Sequence, residues 1–287
     1  MYERFYGFIA RPFSLTPDPA FLFPSRQHSM ALTLLEYGIE SQAAFGLLTG
    51  EVGSGKTTLL RRVMRDLESQ VNVAFISNTH TGFRSIHPWV VSALGIAPSD
   101  DSDIALYEAL VDSFVREYAR GRRTVLIVDE AQNLSMEVLE ELRLLSNVNS
   151  EKDLVLQILL VGQPELRRTL ARPEMRQLAQ RMSVDFHLRP LAMDETAAYI
   201  QHRLIAAGGS ADVFTAEVLD RVHGLSGGIP RLINQLCDMA LVYGYGGGQR
   251  QVGLDLLEQV FKDRASADAL PVFSSLERVN SVPQVGT

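Results

Sequence analysis

Apolar residues follow two different spacings in the central part of the chain. Amphipathic runs, with apolar residues three and four positions apart, predict helices at 29–41, 56–68, 86–94, 104–120, 135–147 and, with a break at Pro173, 166–180. Between them, short apolar or alternating runs predict strands at 45–49, 71–77, 125–128, 154–161 and 183–188. Strands that alternate with helices in this way predict an α/β fold, in which helices flank a five-stranded parallel sheet.

The two ends of the chain differ from this centre. Residues 1–30 are rich in Phe, Tyr and Pro, which disfavours a long helix and predicts a stiff arm laid against a surface. After Pro190 the pattern predicts helices alone, at 194–207, 216–223, 230–243 and 254–264, with a glycine-rich linker at 244–248. We therefore predict an arm (1–30), an α/β domain (31–190), a small all-helical lid domain (191–265) and a disordered tail (266–287).

The turn after the first predicted strand carries a phosphate-binding motif. It reads Gly50-Glu51-Val52-Gly53-Ser54-Gly55-Lys56-Thr57 and matches G-x-x-x-x-G-K-[ST] between a strand and a helix. We expect Gly50, Gly53 and Gly55 to take the positive φ angles that aim backbone N–H groups at phosphates. Lys56 is then expected to reach the β- and γ-phosphates of ATP and Thr57 to hold Mg²⁺. Thr58 completes the candidate segment, mainly by packing, and a glycine-rich turn without a ligand is the alternative.

Two carboxylates and an amide follow later predicted strands. Asp129 and Glu130 come directly after the apolar run 125–128, at the end of a strand where ligands bind on open parallel sheets. We expect Asp129 to orient Mg²⁺ and Glu130 to act as general base toward the attacking water. Gln163 follows the next strand and would sense the γ-phosphate or position the water if that strand lies between the other two. The alternative for the two acids is a solvated turn. The alternative for Gln163 is a helix start set by Pro164.

Arginines supply the remaining candidate charges. Six of them fall between residues 167 and 189, where a solvated helix face, a nucleic-acid patch and an interface between protomers compete as interpretations. Arg181, just before the last predicted strand, is the candidate for a finger that reaches a neighbour's γ-phosphate, with Arg176 second. Arg231 follows Gly-Gly-Ile-Pro at a helix start and is placed to reach the nucleotide, the alternative being a plain helix-start arginine.

Composition narrows the possible classes of protein. The 287 residues, 46% of them hydrophobic, are enough to bury a substantial core. A net charge of -7 argues against a broad nucleic-acid-binding face. The single cysteine, Cys237, lies in an apolar helical pattern and is expected to be a buried thiol in a reducing compartment. Because no apolar run reaches the length of a membrane span and the N-terminus lacks a signal-peptide pattern, we expect a cytoplasmic protein.

The motifs in this order resemble an AAA+ ATPase. Within that superfamily, several segments are similar to the general secretion pathway protein A family, a subgroup of which is associated with exosortase (PEP-CTERM) and exopolysaccharide loci. The similar segments are Phe5-Tyr6-Gly7-Phe8, Arg11-Pro12-Phe13-Ser14-Leu15-Thr16-Pro17-Asp18-Pro19, the loop from Leu48 to Thr58, and Val161-Gly162-Gln163-Pro164-Glu165-Leu166.

The resemblance implies a role for each candidate residue. It makes Lys56 and Thr57 the ligands of phosphate and Mg²⁺, Asp129 and Glu130 the magnesium and catalytic acids, Gln163 the first sensor, Arg181 the finger and Arg231 the second sensor. Longer family members continue into a membrane anchor and a periplasmic peptidoglycan-binding part, whereas this chain ends in a polar tail. We therefore expect a cytoplasmic ATPase, peripheral to the inner membrane through membrane-associated secretion or polysaccharide-assembly partners.

Three functions remain open on the sequence. The first is an ATP-hydrolysing, self-associating ATPase that energises or regulates secretion or surface-polymer assembly. The second is a DNA-binding ATPase regulator of the transposition type, which shares the same core. The third is a scaffold whose assembly is set by ATP and reset by hydrolysis.

Overall fold

The structure, a computed structural model, describes residues 1–16, 18–67, 70–77, 79, 82, 84–150 and 153–266. Within these residues it has five strands, β1 (Phe45–Gly50), β2 (Val71–Ile76), β3 (Arg123–Val128), β4 (Leu156–Gly162) and β5 (Met182–Leu188). The α-helices of the described residues are α1 (Glu3–Tyr6), α2 (Arg26–Glu40), α3 (Lys56–Leu67), α4 (His87–Leu94), α5 (Asp103–Ala119), α6 (Met136–Leu145), α7 (Pro164–Leu170), α8 (Arg176–Ala179), α9 (Met193–Ala206), α10 (Ala216–Ser226), α11 (Pro230–Gly246) and α12 (Leu254–Ser266).

The five strands form one parallel sheet in the order β2-β3-β4-β1-β5. Every residue of β4 is buried, which is the pattern of a central parallel strand covered on both faces. The predicted parallel five-stranded sheet is confirmed. β4 also lies between β1 and β3. This is the strand order in which Gln163, at the end of β4, is expected to sense the γ-phosphate or position the water.

Alternate residues of the central strands face opposite layers of helices. In β3, Leu126 and Val128 belong to one apolar cluster, whereas Val125 and Ile127 belong to another, as the period of two in a strand requires. The first cluster includes residues of α4, α5, α6 and α7, and the second includes residues of α2 and α3. The carboxyl ends of the strands therefore share one edge of a sheet that is covered on both sides.

The chain divides into two compact units. The sheet unit comprises His28–Glu51 and Leu59–Leu188, and the helical unit comprises Met1–Gln27, Val52–Thr58 and the described residues from Arg189 onward. The arm thus groups with helices α9 to α12. The limits drawn from the sequence for the arm, the α/β domain and the lid remain predictions, and residues 267–287 of the predicted tail lie outside the described residues.

The arm supplies aromatic side chains to the core of the helical unit. Tyr2, Tyr6, Phe8 and Phe13 are at most 9% exposed and share one cluster with apolar residues of α9, α10, α11 and α12. The Tyr2 hydroxyl donates to the Asp238 carboxylate, and burial raises the pKa of the Tyr2 phenol far above its usual range. Four aromatic side chains that are buried in this way make the arm a part of the helical unit's core.

A buried arginine also holds the arm. Arg203 of α9, 7% exposed, donates to the carbonyl oxygens of Pro12 at 2.5 Å and Ser14 at 3.3 Å, and to the Tyr199 hydroxyl at 2.9 Å. Its guanidinium carbon lies 5.0 Å from the centroid of the Phe21 ring, within the range of a cation–π contact. The guanidinium is thus buried with hydrogen-bond acceptors from the arm, which offsets part of its desolvation.

Helix α11 is longer than the sequence predicts. It runs to Gly246, so the prediction that the linker begins at Gly244 is wrong. A Cβ atom on Gly244 would lie 2.3 Å from the Tyr6 hydroxyl oxygen, and that hydroxyl donates to the Gln249 carbonyl at 2.9 Å. Glycine at this position therefore allows the close approach of the arm and does not provide a flexible connection.

Two other segments differ in detail from the expected pattern. The predicted helix 166–180 is divided into α7 and α8, with a 3-10 turn at Pro173–Met175 between them. In the region where only helices are expected, an isolated parallel β-bridge joins Phe214 to Val252. None of the described helices combines the length and the apolar character needed to cross a membrane.

The single cysteine lies in the core of the helical unit. Cys237 is a free thiol with 0% exposure, which confirms the predicted buried position. Burial raises the pKa of this thiol, because the thiolate would be poorly solvated there.

Replacing Gly244 with alanine is expected to destabilise the protein by about 1–3 kcal/mol, because the new methyl group overlaps the Tyr6 hydroxyl and displaces part of the arm. Urea unfolding followed by circular dichroism measures the change. Gly246→Ala is the matched control in the same helix, since a Cβ there meets nothing within 4 Å. Equal stabilities of the two variants would contradict the packing role of Gly244.

Candidate nucleotide-binding site

The loop between β1 and α3 has the expected backbone at two of its three glycines. Gly53 and Gly55 have φ angles of +81° and +102°, which residues with a side chain rarely adopt. Gly50 instead ends β1 as an extended residue paired with Leu188, so the expectation of a positive φ there is wrong. The strand continues into the first residue of the motif, and the turn is made by the later glycines.

The end of the loop joins the N-terminus of α3. Lys56 is the first residue of this helix and is 6% exposed, and Thr57 and Thr58 follow in its first turn. That turn contains no acidic residue. Since the first N–H groups of a helix have no partner within it, and its dipole favours negative charge there, the segment has the features of a phosphate-binding helix start. Glu51 and Val52 are exposed, whereas Ser54 is buried.

Arg231 of α11 contacts the loop. Its backbone N–H donates to the Gly53 carbonyl at 3.2 Å, and a Cβ on Gly53 would lie only 2.3 Å from the Arg231 Cβ. Gly227 and Gly228, with φ angles of +58° and +75°, turn the chain just before Pro230 begins the helix. The structure thus brings together the P-loop and the lid arginine, and the sensor role of Arg231 stays a prediction.

Replacing Gly53 with alanine is expected to weaken nucleotide binding at least about tenfold, because the side chain must adopt a strained φ and collide with the stem of Arg231. Titration with a fluorescent ADP analogue measures the affinity. Gly121→Ala is the matched control, since Gly121 has a φ of +79° but a Cβ there meets nothing within 4 Å. Unchanged affinity in Gly53→Ala would contradict a close fit between the loop and the nucleotide.

The two acids at the end of β3 occupy distinct positions. Asp129 is 4% exposed; its N–H donates to the Ile76 carbonyl at 2.9 Å, and its Oδ1 accepts the Glu130 N–H at 2.9 Å. Glu130 has a φ of 55°, in the left-handed region that residues other than glycine rarely occupy. The chain therefore turns sharply at Glu130, immediately after the buried strand.

Two side-chain amides hold the Glu130 carboxylate. Gln132 Nε2 donates to Glu130 Oε2 at 2.5 Å, and Gln163 Nε2 donates to the same oxygen at 3.3 Å. Gln163 precedes α7, at the end of the strand next to β3. The structure thus brings Glu130 and Gln163 together, and it adds Gln132, which sequence reasoning missed although an amide two positions after the second acid was a visible signal.

Thr79 is a second residue that sequence reasoning missed. Its hydroxyl lies 3.1 Å from the Asp129 carbonyl oxygen and 2.6 Å from that of Glu130, and its own carbonyl accepts from Asn133 Nδ2 at 3.0 Å. These contacts fix the backbone of the turn that carries both acids. No sequence signal pointed to Thr79, because it lies 50 positions before Asp129 in the chain.

The candidate finger residue contacts its own subunit. Arg181 donates to Ser146 Oγ at 2.5 Å, to Asn147 Oδ1 at 2.9 Å and to the Arg143 carbonyl at 3.2 Å. In the monomer its guanidinium therefore binds the C-terminal end of α6. A role for Arg181 toward a neighbouring subunit stays a prediction.

Comparisons with known proteins show which family the chain resembles. Residues 39–170 match the model of the AAA domain. The chain is also 40% identical over 253 residues to general secretion pathway protein A of Aeromonas hydrophila. The chain belongs to the AAA+ family of general secretion pathway protein A. The aligned region is 88% of the chain but only 46% of the Aeromonas protein, so the chain spans about half the length of this family member.

The part of the chain that matches the AAA domain contains most of the site. The P-loop, Asp129, Glu130, Gln132 and Gln163 all lie within residues 39–170, whereas Arg181 and Arg231 lie beyond them.

Solved structures with a similar fold extend the comparison to the helical part of this AAA+ protein. The ORC2 protein of Aeropyrum pernix has a TM-score of 0.67 at 16% identity, with 95% of this chain and 74% of that chain covered. Cdc6p of Pyrobaculum aerophilum has a TM-score of 0.66 at 16% identity, with the same coverage. At this identity the similarity shows the fold alone, and it confirms the α/β P-loop fold followed by helices.

Proposed function

We propose that the chain binds ATP with Mg²⁺ and hydrolyses it to ADP and phosphate. The observation that supports this most directly is the environment of Glu130. Its carboxylate follows Asp129 at the end of β3 and accepts hydrogen bonds from two neutral amides, those of Gln132 and Gln163. Neutral donors orient a carboxylate without pairing it with a cation, which suits a group that takes a proton from water.

The residues that the motifs assign to the metal fit Mg²⁺. Thr57 offers a hydroxyl and Asp129 a carboxylate, and Mg²⁺ prefers oxygen ligands of this kind. When bound, Mg²⁺ supplies positive charge to the phosphate oxygens. From the protein, Lys56 at the start of α3 and Arg231 beside Gly53 add further positive charge to the phosphate-binding loop.

Glu130 then acts as general base. As water attacks the γ-phosphorus, one water O–H bond breaks and its proton moves to the carboxylate, while the bond between the γ-phosphorus and the bridging oxygen breaks and ADP leaves. Gln163, whose amide nitrogen lies 3.3 Å from Glu130 Oε2, holds the base relative to the end of β4. Placement and electrostatics of this kind account for most of the catalysis of phosphoryl transfer.

Phosphate release from ATP by the purified full chain tests this proposal. We expect release with Mg²⁺ and none with excess chelator, and we expect ATP and ADP to raise the thermal unfolding temperature by binding the folded state. Stabilisation by ATP without phosphate release would reject hydrolysis and retain nucleotide binding as the function. Absence of both effects would reject the proposed function as a whole.

We further propose that nucleotide turnover energises or regulates a secretion system, or an exosortase-linked exopolysaccharide assembly, from the cytoplasmic side of the membrane. The 40% identity to general secretion pathway protein A supports the secretion role. Self-association is the finer part of the proposal and is tested by light scattering with ATP, with ADP and without nucleotide. A monomer under all three conditions would reject self-association and a role of Arg181 in a neighbour's site.

The arginine-rich region does not favour the nucleic-acid alternative. Arg167 pairs with Asp185, Arg168 lies 3.4 Å from Glu165, and Arg181 binds the end of α6. Two of the six arginines thus face carboxylates of the same unit, which lowers the positive charge that these two side chains offer to phosphate groups. Binding of duplex DNA that weakens with salt would revive this alternative, and no binding at low salt would remove it.

A further inference from the structure

The side chain of Gln132 connects two candidate catalytic groups. Gln132 lies in the 3-10 turn Ala131–Asn133, directly after Glu130. Its Nε2 donates to Glu130 Oε2 at 2.5 Å, and its Oε1 accepts the backbone N–H of Gln163 at 3.0 Å. One amide therefore joins the end of β3 to the junction between β4 and α7.

The chemistry of the two partners fixes the orientation of this amide. A carboxylate only accepts hydrogen bonds and a backbone N–H only donates, so the NH₂ group must face Glu130 and the oxygen must face Gln163. The flipped amide would lose both bonds. Gln132 is consequently matched to both neighbours at once.

Gly162 provides the room for this side chain. A Cβ on Gly162 would lie 2.7 Å from Gln132 Oε1, 3.3 Å from the Gln132 backbone nitrogen and 3.1 Å from Leu166 Cδ2. Gly162 is the last residue of β4 and is paired with Thr49, an ordinary strand position that requires no positive φ. Glycine is needed there for the approach of the Gln132 amide and of Leu166, and not for the backbone conformation.

We propose that Gln132 is a positioning residue for Glu130, and that it couples the base to the sensor segment at Gln163. This inference rests on the proposed ATPase function. The amides of Gln132 and Gln163 both donate to Oε2, so Oε1 is the oxygen that takes the proton of the attacking water. Because Gln132 also holds the Gln163 N–H, a displacement of the β4–α7 junction moves the carboxylate with it.

The first test replaces Gln132 with methionine, which is similar in length but has neither the amide donor nor its acceptor. We expect kcat to fall about 10- to 100-fold, because the base loses its orientation, while nucleotide affinity and KM change less than about twofold. A residue that only supports the fold would lower the unfolding temperature and leave kcat of the folded protein unchanged.

The second test leaves Gln132 in place and fills the space that its side chain occupies. Gly162→Ala is expected to lower kcat by a similar factor, because the methyl group displaces the amide. Gly46→Ala in the neighbouring strand β1 is the matched control, since a Cβ there lies 3.1 Å from Leu159 Cδ1, the same close contact with a leucine but without the amide. Its kcat is expected to match that of the unmodified chain.

A double-mutant cycle completes the experiment. In a Gln132→Ala background, Gly162→Ala is expected to cause little further loss of kcat, because the colliding side chain is gone. Fully multiplicative losses, or an unchanged kcat in Gln132→Met, would overturn the positioning role. These outcomes are distinct from a failure of the proposed function, in which the unmodified chain itself releases no phosphate from ATP.

Discussion

Replacement of Glu130 with glutamine is expected to lower ATP turnover by about 10²- to 10⁴-fold and to leave nucleotide binding intact. Glutamine has nearly the same shape and keeps an oxygen that can accept from the amides of Gln132 and Gln163. It lacks the basicity to take the proton of the attacking water. The loss should therefore appear in kcat, while affinity for ATP and the unfolding temperature stay close to those of the unmodified chain.

Phosphate release under saturating ATP measures this change, and Glu174→Gln is the control. Glu174 is an exposed acid of the same unit, so its replacement removes one negative charge at a distance from the end of β3. Turnover should be unaffected in the control. If Glu130→Gln retained full turnover in a chain that hydrolyses ATP, the assignment of Glu130 as general base would be wrong.

Replacement of Phe13 with alanine is expected to destabilise the helical unit by about 3–5 kcal/mol. Phe13 is 1% exposed, and its ring centroid lies 5.9 Å from that of Phe214 in an edge-to-face contact. The substitution removes this aromatic pair and leaves a cavity in a core that already depends on a segment distant in sequence. Ile9→Ala is the control in the same arm, because Ile9 is 86% exposed.

Two probes separate the response of the two units. The chain has a single tryptophan, Trp89, and it lies in α4 of the sheet unit, so its fluorescence reports that unit. Circular dichroism at far-ultraviolet wavelengths reports the helices of both. We expect Phe13→Ala to lower the urea midpoint seen by circular dichroism more than the midpoint seen by Trp89. An equal shift in both signals, or no shift, would contradict an effect centred on the helical unit.

The sequence was sufficient to predict the sheet and the strand ends at which the motif residues lie, because both depend on local patterns. A fully apolar run such as β4 indicates a central strand, and the spacing from Gly50 to Thr57 has few alternative explanations. The error at Gly50 has a physical origin in the sheet. Pairing of that residue with Leu188 keeps the strand extended for one more position than the motif suggests.

The contacts around Glu130 could not be predicted from the sequence, for a different reason. Gln132 matters because it touches Gln163, 31 positions away, and Gly162 matters because Gln132 fills the space beside it. The contacts of Thr79 depend likewise on β2, which ends beside β3. Such roles follow from which strand ends are neighbours, and this is a property of the three-dimensional order and not of any local pattern.

The helical unit is built from both ends of the chain, and this has a consequence for its biosynthesis. Arg203 and Pro12, which are hydrogen-bonded, lie 191 positions apart. At a synthesis rate of about 5–20 residues per second, the aromatic arm leaves the ribosome roughly 10–40 s before its partner helices. During that interval Tyr2, Tyr6, Phe8 and Phe13 have no core to enter. The nascent arm is therefore expected to be a binding site for chaperones until α12 has emerged.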